Sequence, residues 1–364
     1  MTILIFIIIL GILVFVHELG HFMVARWSGV AVEEFGFGFP PRLIGWKRGP
    51  TIYSLNWIPF GGFVRLQGEQ DDQQQRPDSF VAAKYSRQFA IMIAGVLMNA
   101  LLAWALLTTT IIAGVSTDST TVPHNRFVRQ TPAHVEAVVT DGSAAALAGL
   151  QTGDTVVSVN NQSFTSTQQI IDLAQANNYT PITLSVLHNK ISKDIVITPQ
   201  VAVDHPRYGF GIQSVTTVHY PWYVAPWYSL SMTGQLIIQT LKGFWTLIHD
   251  LVVTAHVSSD VAGPVGIAVL TGQVVQYGFI ATLQFMAVLS ISLAVVNFLP
   301  LPALDGGRAV FATIAHLRGK PINTKIEGTI HAIGFYVLLL VIILLSIRDV
   351  SRFKLFEQLR GLFQ

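Results

Sequence analysis

Long apolar stretches alternate with polar segments along the 364 residues of the chain. Four of these stretches are long enough to cross a bilayer core of about 30 Å, because an α-helix rises about 1.5 Å per residue. The pattern predicts transmembrane helices over about 2–27, 89–115, 279–299 and 329–347. The fold class that follows is a polytopic α-helical membrane protein with about four transmembrane helices.

The first predicted helix begins with an apolar run that is also typical of a cleavable signal peptide. No Lys or Arg precedes this run, and no small-residue cleavage site ends it. The run continues instead into the ionisable residues His17, Glu18 and His21. We therefore expect a transmembrane helix that is retained.

The segment between the first two helices is rich in glycine, proline and aromatic residues. Glycines alternate with phenylalanines from Phe35 to Phe39, and Gly61 and Gly62 interrupt a second apolar run. Such alternation predicts short strands or a hairpin, whose backbone must be paired or buried where it lies near lipid. Residues 1–118 would therefore hold two transmembrane helices and a β-hairpin.

Between the second and third helices the composition becomes that of a soluble domain, which we place at 119–218. Alternating apolar and polar positions predict strands over 156–159 and 182–187. The linker that follows, 219–278, contains a stretch at 227–253 with polar residues at roughly helical intervals. We interpret that stretch as an amphipathic helix lying on the membrane.

The Lys and Arg content of the short loops indicates the topology. The loops after the first and third helices are rich in both residues, which assigns these loops to the cytoplasm. With four spans in an inner (cytoplasmic) membrane, the amino terminus, the soluble domain and the carboxyl terminus then lie outside. The basic tail at the end of the last region, 279–364, opposes this assignment, but two loops outweigh one tail.

Composition narrows the classes of function. Hydrophobic residues make up 51% of the chain and charged residues only 12%, against about 25% in an average soluble domain, which indicates contact with lipid. The net charge of +2 gives no argument for nucleic acid as a partner. Because cysteine is absent, disulfides, thiolate metal sites and cysteine nucleophiles are excluded, and a metal site must use His, Asp or Glu.

The first helix carries the motif H-E-L-G-H from His17 to His21. Two histidines four residues apart share a helical face and can bind one Zn²⁺ at about 2.0–2.1 Å. Glu18 lies beside them and can deprotonate the attacking water. The alternative is a helix end with satisfied polar residues at the membrane interface. Ionisable residues inside an apolar helix cost roughly 2.5–3.5 kcal/mol per charge unless they are compensated, which favours the metal.

A catalytic zinc also needs a third protein ligand and an open position. Asp305 is the best candidate, because Pro300 and Pro302 break the third helix near the depth of His21. The alternative interpretation is an ordinary Asp-Gly turn at a helix end, without a metal. Beside the H-E-L-G-H motif, the metal ligand is the favoured interpretation.

Other polar residues of the helices leave more than one interpretation open. Asn297 could orient substrate backbone or stabilise an oxyanion, and it could equally form a hydrogen bond between helices. The four-residue spacing of Gly95 and Asn99 in the second helix favours close helix packing. The remaining histidines, such as His331, lack ligand spacing with a partner carboxylate, and we interpret them as structural or surface residues.

Together these motifs resemble the site-2 protease family of intramembrane zinc metalloproteases over nearly the whole chain. The resemblance rests on H-E-L-G-H, G-x-x-x-N and the long, specific N-x-x-P-x-P-x-x-D-G-G in helices one, two and three. It implies that 35–64 form a membrane-reentrant β-hairpin. It also implies that the segment around 142–154 belongs to one inserted α+β PDZ domain, as in bacterial single-PDZ members. Ser292 departs from many relatives, which have a second Asn there.

The resemblance further implies an intramembrane zinc endopeptidase whose active site lies near the cytoplasmic face. His17, His21 and Asp305 would hold the Zn²⁺, with Glu18 as the base. The partners would be membrane lipid and single-pass membrane protein substrates, for example anti-sigma factors or signal-peptide remnants, and the chain would be a monomer. Substrate would contact residues of the third helix, its turn and the hairpin, namely Asn297, Pro300, Pro302, Gly61 and Gly62.

Two rival functions follow from the same features. A non-enzymatic PDZ membrane scaffold would have a degenerate zinc site, but all three candidate ligands and the candidate base are present. A metal transporter predicts ionisable residues spread through several helices, whereas here they concentrate near one depth. The sequence therefore favours the protease over both rivals.

Overall fold

The computed structural model describes residues 2–69, 76–118, 127–131, 134–139, 143–163, 169, 180–188, 191–201, 206–253, 261–320 and 322–352. The chain divides into two compact units. The first comprises 1–107, 227–275 and 282–364, and the second comprises 108–226 and 276–281. The first unit carries the candidate chemistry and the second carries most of the sheet.

Four helices of the described chain are long and apolar enough to cross a membrane. They are α1 (Thr2–Trp27), α2 (Tyr85–Ala113), α6 (Phe279–Phe298) and α8 (Thr324–Arg352). This confirms the four predicted spans. The second helix begins four residues before its predicted start and ends two residues before its predicted end, and the fourth helix extends beyond both predicted bounds. Hydropathy alone does not include the polar residues in the added turns.

Three more helices complete the first unit, α4 (Ala225–Val253), α5 (Pro264–Gln276) and α7 (Asp305–Arg318). The stretch predicted to be an amphipathic helix lies within α4. One face of α4, including Leu236 and Phe244, packs against buried residues of α2 and α6. Trp227, Leu241 and Trp245 of α4 are exposed. The helix is thus present, and its place on the membrane surface stays a prediction.

A long antiparallel hairpin connects α1 and α2. It consists of β1 (Val32–Arg48) and β2 (Thr51–Leu66), and shifts in the register place Phe37 opposite both Gly62 and Leu55. The hairpin is therefore folded back on itself and is not a simple two-stranded ladder. The rings of Phe35 and Phe37 lie 5.6 and 6.1 Å from the ring of Phe15 on α1. The predicted hairpin is therefore present, and its glycine–phenylalanine alternation attaches it to the first span.

One part of the hairpin is buried and another part is exposed, and Thr51 next to the turn belongs to the buried part. Val32 and Leu66 belong to a buried cluster that also includes Ala25 of α1, Ile91 of α2 and Ala309 of α7. The exposed part carries large apolar side chains, namely Leu43, Ile44, Trp46 and Trp57. The buried cluster therefore fixes α1, α2, α7 and the buried part of the hairpin around one point, which is where the candidate site lies.

The second unit is built on an antiparallel sheet with the strand order β3-β12-β5-β6-β8-β9. The two predicted strands are confirmed, since 156–159 lie in β6 and 182–187 in β8. Around them the buried residues include Ala145, Leu150 and Leu184. The bounds of the elements of this unit are β3 (Val115–Asp118), β4 (Arg129–Gln130), β5 (His134–Val139), α3 (Ala144–Leu147), β6 (Thr155–Val159), β7 (Gln162–Ser163), β8 (Ile182–His188), β9 (Ile191–Ile197), β10 (Gln200–Val201), β11 (Pro206–Arg207) and β12 (Phe210–His219).

Candidate metal centre and active site

The two histidines of H-E-L-G-H meet Asp305 at one point. His17 and His21 lie one turn apart on α1, with their Nε2 atoms 3.1 Å apart. Asp305 Oδ2 is 2.9 Å from His17 Nε2 and 3.3 Å from His21 Nε2. The structure therefore brings together all three residues that the sequence predicts as ligands, from positions 288 residues apart.

The geometry of this cluster fits a zinc ion. Ligands of a tetrahedral zinc at about 2.0–2.1 Å lie about 3.3 Å from one another, close to the spacing of these three atoms. Two imidazoles and one carboxylate also leave the fourth position of a catalytic site open. Gly95 of α2 faces the cluster, and a Cβ there would lie 2.7 Å from His17 Nε2 and overlap with His21 Nε2. The missing side chain keeps space free beside the ligand atoms.

Both imidazoles are oriented through their second nitrogen by α2. His21 Nδ1 lies 2.7 Å from the carbonyl oxygen of Ile91 and donates to it, which leaves Nε2 free to bind a metal. His17 Nδ1 lies 3.3 Å from the side-chain amide of Asn99, which is fully buried. The sequence interpretation of Asn99 as a packing residue missed this contact. The four-residue spacing of Gly95 and Asn99 was the signal, because it puts both on one helical face.

An irregular turn carries Asp305. The helix α6 ends at Phe298 and α7 begins at Asp305, with Ala303 between them in a left-handed conformation at φ 72°. The Ala303 N–H donates to Nδ1 of His331 on α8 over 2.8 Å. A Cβ on Gly306 or Gly307 would overlap with carbonyl oxygens of the turn. The two glycines of the motif are thus needed for the close approach of backbone to backbone. His331 was predicted to be a structural or surface residue, and its contact with this turn was not predicted.

The candidate base faces a small cavity beside the cluster. Glu18, His21 and Asp305 line this cavity, which has a volume of about 170 Å³. The hairpin closes one side, because a Cβ on Gly62 would lie only 3.3 Å from Glu18 Cγ. A water molecule in this cavity would lie within reach of the Glu18 carboxylate.

The other residues predicted to contact substrate lie at different distances from the cluster. Asn297 Nδ2 is 3.5 Å from His17 Nε2, so this side chain borders the site. Gly61 has a φ of 92° and packs against the ring of Phe39. Pro302 packs against Gly334 of α8, and Pro300 is exposed. Gly62 and Asn297 therefore reach the site directly, and the other three lie around it.

An ion pair that the sequence did not reveal forms part of the cavity wall. Glu69, which follows β2, accepts a hydrogen bond from Arg308 of α7. Partial burial lowers the pKa of the Arg308 guanidinium, but the Glu69 carboxylate outweighs burial and the net pKa is raised. Both residues also line a neighbouring cavity of about 1180 Å³. The pair thus stands between two cavities, and its 239-residue separation hides it in the sequence.

Comparison with known proteins agrees with the geometry of the cluster. The sequence profile of peptidase family M50 matches residues 5–341. The chain belongs to peptidase family M50, the site-2 proteases. The regulator of sigma-W protease RasP of Bacillus subtilis is 28% identical over 96% of this chain and 98% of its own length. The zinc metalloprotease RasP of Geobacillus kaustophilus matches with the same identity and coverage. A Clostridium acetobutylicum relative is 32% identical over 96% of this chain and 97% of its own.

Membership in family M50 decides between the functions that the sequence left open. Site-2 proteases are metalloendopeptidases, and the named relatives are zinc metalloproteases. The chain is therefore a zinc-dependent, site-2-type metalloendopeptidase and a multi-pass membrane protein. This favours the enzyme over the scaffold and the transporter.

Proposed function

We propose that this M50 peptidase hydrolyses peptide bonds within or near the transmembrane segments of other membrane proteins. The observation that carries the proposal is the meeting of His17, His21 and Asp305 beside Glu18. Two of these ligands and the base lie on α1, which is long and apolar enough to cross a membrane. A hydrolytic centre on such a helix has membrane-embedded peptide as its natural substrate.

His17, His21 and Asp305 are the proposed ligands of the zinc ion. When bound, zinc polarises the scissile carbonyl and makes water easier to deprotonate. Glu18 takes the proton of the attacking water and delivers it to the leaving amine. The Asn297 amide N–H, at the edge of the cluster, donates to the oxyanion that develops on the substrate carbonyl. Gly62 keeps the hairpin backbone close to Glu18 without covering it.

The hairpin is the segment that would bind the substrate. A helical substrate must unwind before cleavage, because its carbonyl groups are already engaged in helical hydrogen bonds. Backbone groups of β2 around Gly61 and Gly62 can pair with the unwound stretch by strand addition. Pro300 and Pro302 would contact the same stretch from the side of the turn. The exposed side chains of Leu43, Trp46 and Trp57 support insertion of the hairpin into lipid.

The second unit is the proposed PDZ domain, with boundaries at 119–218. This domain would lie outside the cytoplasm. Residues 1–118 and 279–364 would form the membrane part, and 219–278 would form an amphipathic linker. The active site would lie near the cytoplasmic face of the inner membrane. The proposed substrates are single-pass membrane proteins or signal-peptide remnants, cut by a monomer. The name of the Bacillus subtilis relative, a regulator of sigma-W, supports a membrane-bound regulatory protein as one substrate class.

The decisive experiment changes Glu18→Gln in the full chain. We expect cleavage of membrane proteins to fall by about 10²–10⁴-fold while zinc stays bound, because the ligands remain and only the base is lost. Quantitative proteomics of membrane fractions should then show accumulated, half-trimmed stubs. Glu33→Gln makes the same chemical change on β1, away from the cluster, and should leave cleavage unaltered. Persistence of cleavage in the Glu18→Gln enzyme would overturn the proposal.

A further inference from the structure

We infer that Asn99 is a positioning residue that selects the zinc-binding tautomer of His17. The inference rests on the proposed function, in which His17 is a zinc ligand. Asn99 is fully buried on α2, and its amide lies 3.3 Å from His17 Nδ1. One oxygen of the same side chain, Oδ1, is buried and has no hydrogen-bond partner among the residues that the structure describes.

One nitrogen of the His17 ring faces the proposed zinc ligands. His17 directs Nε2 at Asp305 Oδ2 and at His21 Nε2, so Nε2 is the atom that would bind zinc. A neutral imidazole that binds a metal through Nε2 carries its proton on Nδ1. His17 Nδ1–H must therefore face an acceptor, and the acceptor within reach is the amide of Asn99.

Asparagine can supply that acceptor without moving its backbone. The oxygen and the NH₂ group of the amide are alike in shape, and a half-turn about the last side-chain bond exchanges them. In the structure Nδ2 of Asn99 faces His17 Nδ1. After the half-turn Oδ1 accepts from His17 Nδ1–H, and the NH₂ group takes the buried position that Oδ1 has left. The opposite orientation would donate to Nδ1 and leave the proton on Nε2, where zinc must bind.

Asn99 completes a row of residues on α2. Ile91, Gly95 and Asn99 are spaced four apart and so lie on one helical face. Ile91 accepts from His21, Gly95 leaves space for both rings, and Asn99 contacts His17. Ser290 of α6 donates to the Asn99 backbone oxygen over 2.8 Å and holds this end of the row in place. The G-x-x-x-N motif thus lies against the two imidazole rings on the side of α2.

The test compares Asn99→Asp with Asn99→Leu, two replacements of similar size. Asp keeps an acceptor for Nδ1–H, whereas Leu removes it. Zinc affinity of the purified full chain, measured by competition with a chromophoric chelator, should fall by about 10- to 100-fold in Asn99→Leu and by only a few-fold in Asn99→Asp. The absorption bands of bound Co²⁺ should shift in Asn99→Leu and stay close to the wild type in Asn99→Asp.

Two controls separate positioning from folding. Thr110→Val removes another fully buried polar group of α2 and should leave zinc affinity unchanged. The thermal unfolding of the metal-free chain should be alike in the wild type and Asn99→Leu. The inference is wrong if Asn99→Leu binds zinc with the affinity of the wild type. It is also wrong if Asn99→Leu and Asn99→Asp lose zinc affinity equally and their metal-free chains unfold at a lower temperature. The proposed function itself is contradicted by either of two results: a wild-type chain that binds no zinc, or a Glu18→Gln chain that still cleaves.

Discussion

The two halves of the proposed zinc site are built in opposite ways. His17 and His21 belong to a regular helix, whose period alone puts residues four apart on one face. Asp305 follows an irregular turn with a left-handed alanine and precedes two glycines of α7 that lie in close contact with backbone carbonyls of that turn. The helical half is thus specified locally. The turn half depends on contacts with other parts of the chain, so it should be the easier half to break.

The largest effect is expected from Gly307→Ala in the first turn of α7, where the helix packs against the irregular turn before Asp305. The new Cβ would overlap with the Leu301 carbonyl oxygen, so the turn must shift and carry the Asp305 carboxylate with it. Because a displacement of about 1 Å can cost about 100-fold in rate, we expect at least that loss in peptidase activity, with weakened zinc binding. Activity and metal content of purified enzyme measure both.

Gly328→Ala is the matched control for the turn variant. A Cβ on this glycine of α8 meets nothing within 4 Å, and alanine favours a helix by roughly 0.5–1 kcal/mol over glycine. Its activity should equal that of the wild type. If Gly307→Ala were as active as Gly328→Ala, the turn would tolerate more change than its backbone contacts indicate. The turn half of the zinc site would then not be easier to break than the helical half.

A smaller loss is expected from Gly95→Ala, which tests the helical half. The added methyl group would meet both imidazole rings, but side chains can move aside more readily than backbone. We expect zinc affinity to weaken by about 10- to 100-fold, with α1 and α2 intact by circular dichroism. Gly234→Ala on α4 adds the same methyl group in open space and should change neither property. An unaltered zinc affinity in Gly95→Ala would show that the rings lie farther from α2.

His331 provides a finer test of the turn half. His331→Phe keeps an aromatic ring beside Phe311 but removes the acceptor for the Ala303 N–H. A fully buried N–H without a partner costs about 1–3 kcal/mol, and the Ala303 N–H is partly buried, so we expect roughly a tenfold loss of activity. His331→Asn restores an acceptor and should recover part of that loss. Equal activities of the two variants would mean that the ring alone supports the turn.

The smallest effect is expected from the ion pair between Glu69, which follows β2, and Arg308 of α7. The Arg308 side chain is 40% exposed, and an ion pair with such access to solvent contributes below about 1 kcal/mol. Glu69→Gln should therefore lower the thermal midpoint only slightly and leave zinc affinity unchanged. Differential scanning fluorimetry with and without zinc measures both. A large loss of metal would mean that the position of Asp305 depends on this ion pair more than on the backbone contacts of its turn.

The parts of the fold that were predicted are those that local patterns encode. Hydropathy revealed the four spans, because a bilayer demands about 20 apolar residues in a row. Alternation revealed the hairpin and the strands at 156–159 and 182–187. The roles of Asn99, His331 and Glu69 stayed hidden, since each depends on a partner at least 28 residues away. The PDZ identity of the second unit and the roles of the site residues stay predictions.

The sequence by itself determined the chemistry that is available to this protein. H-E-L-G-H supplies two imidazoles and a carboxylate on one helical face, and N-x-x-P-x-P-x-x-D-G-G supplies a helix break followed by an aspartate. Only the tertiary structure decided that Asp305 Oδ2 reaches His17 and His21, and that α2 orients both rings through Ile91 and Asn99. The physical reason is the distance along the chain over which each interaction acts. Helical period acts over four residues, whereas the metal centre is closed by packing between segments far apart in the chain.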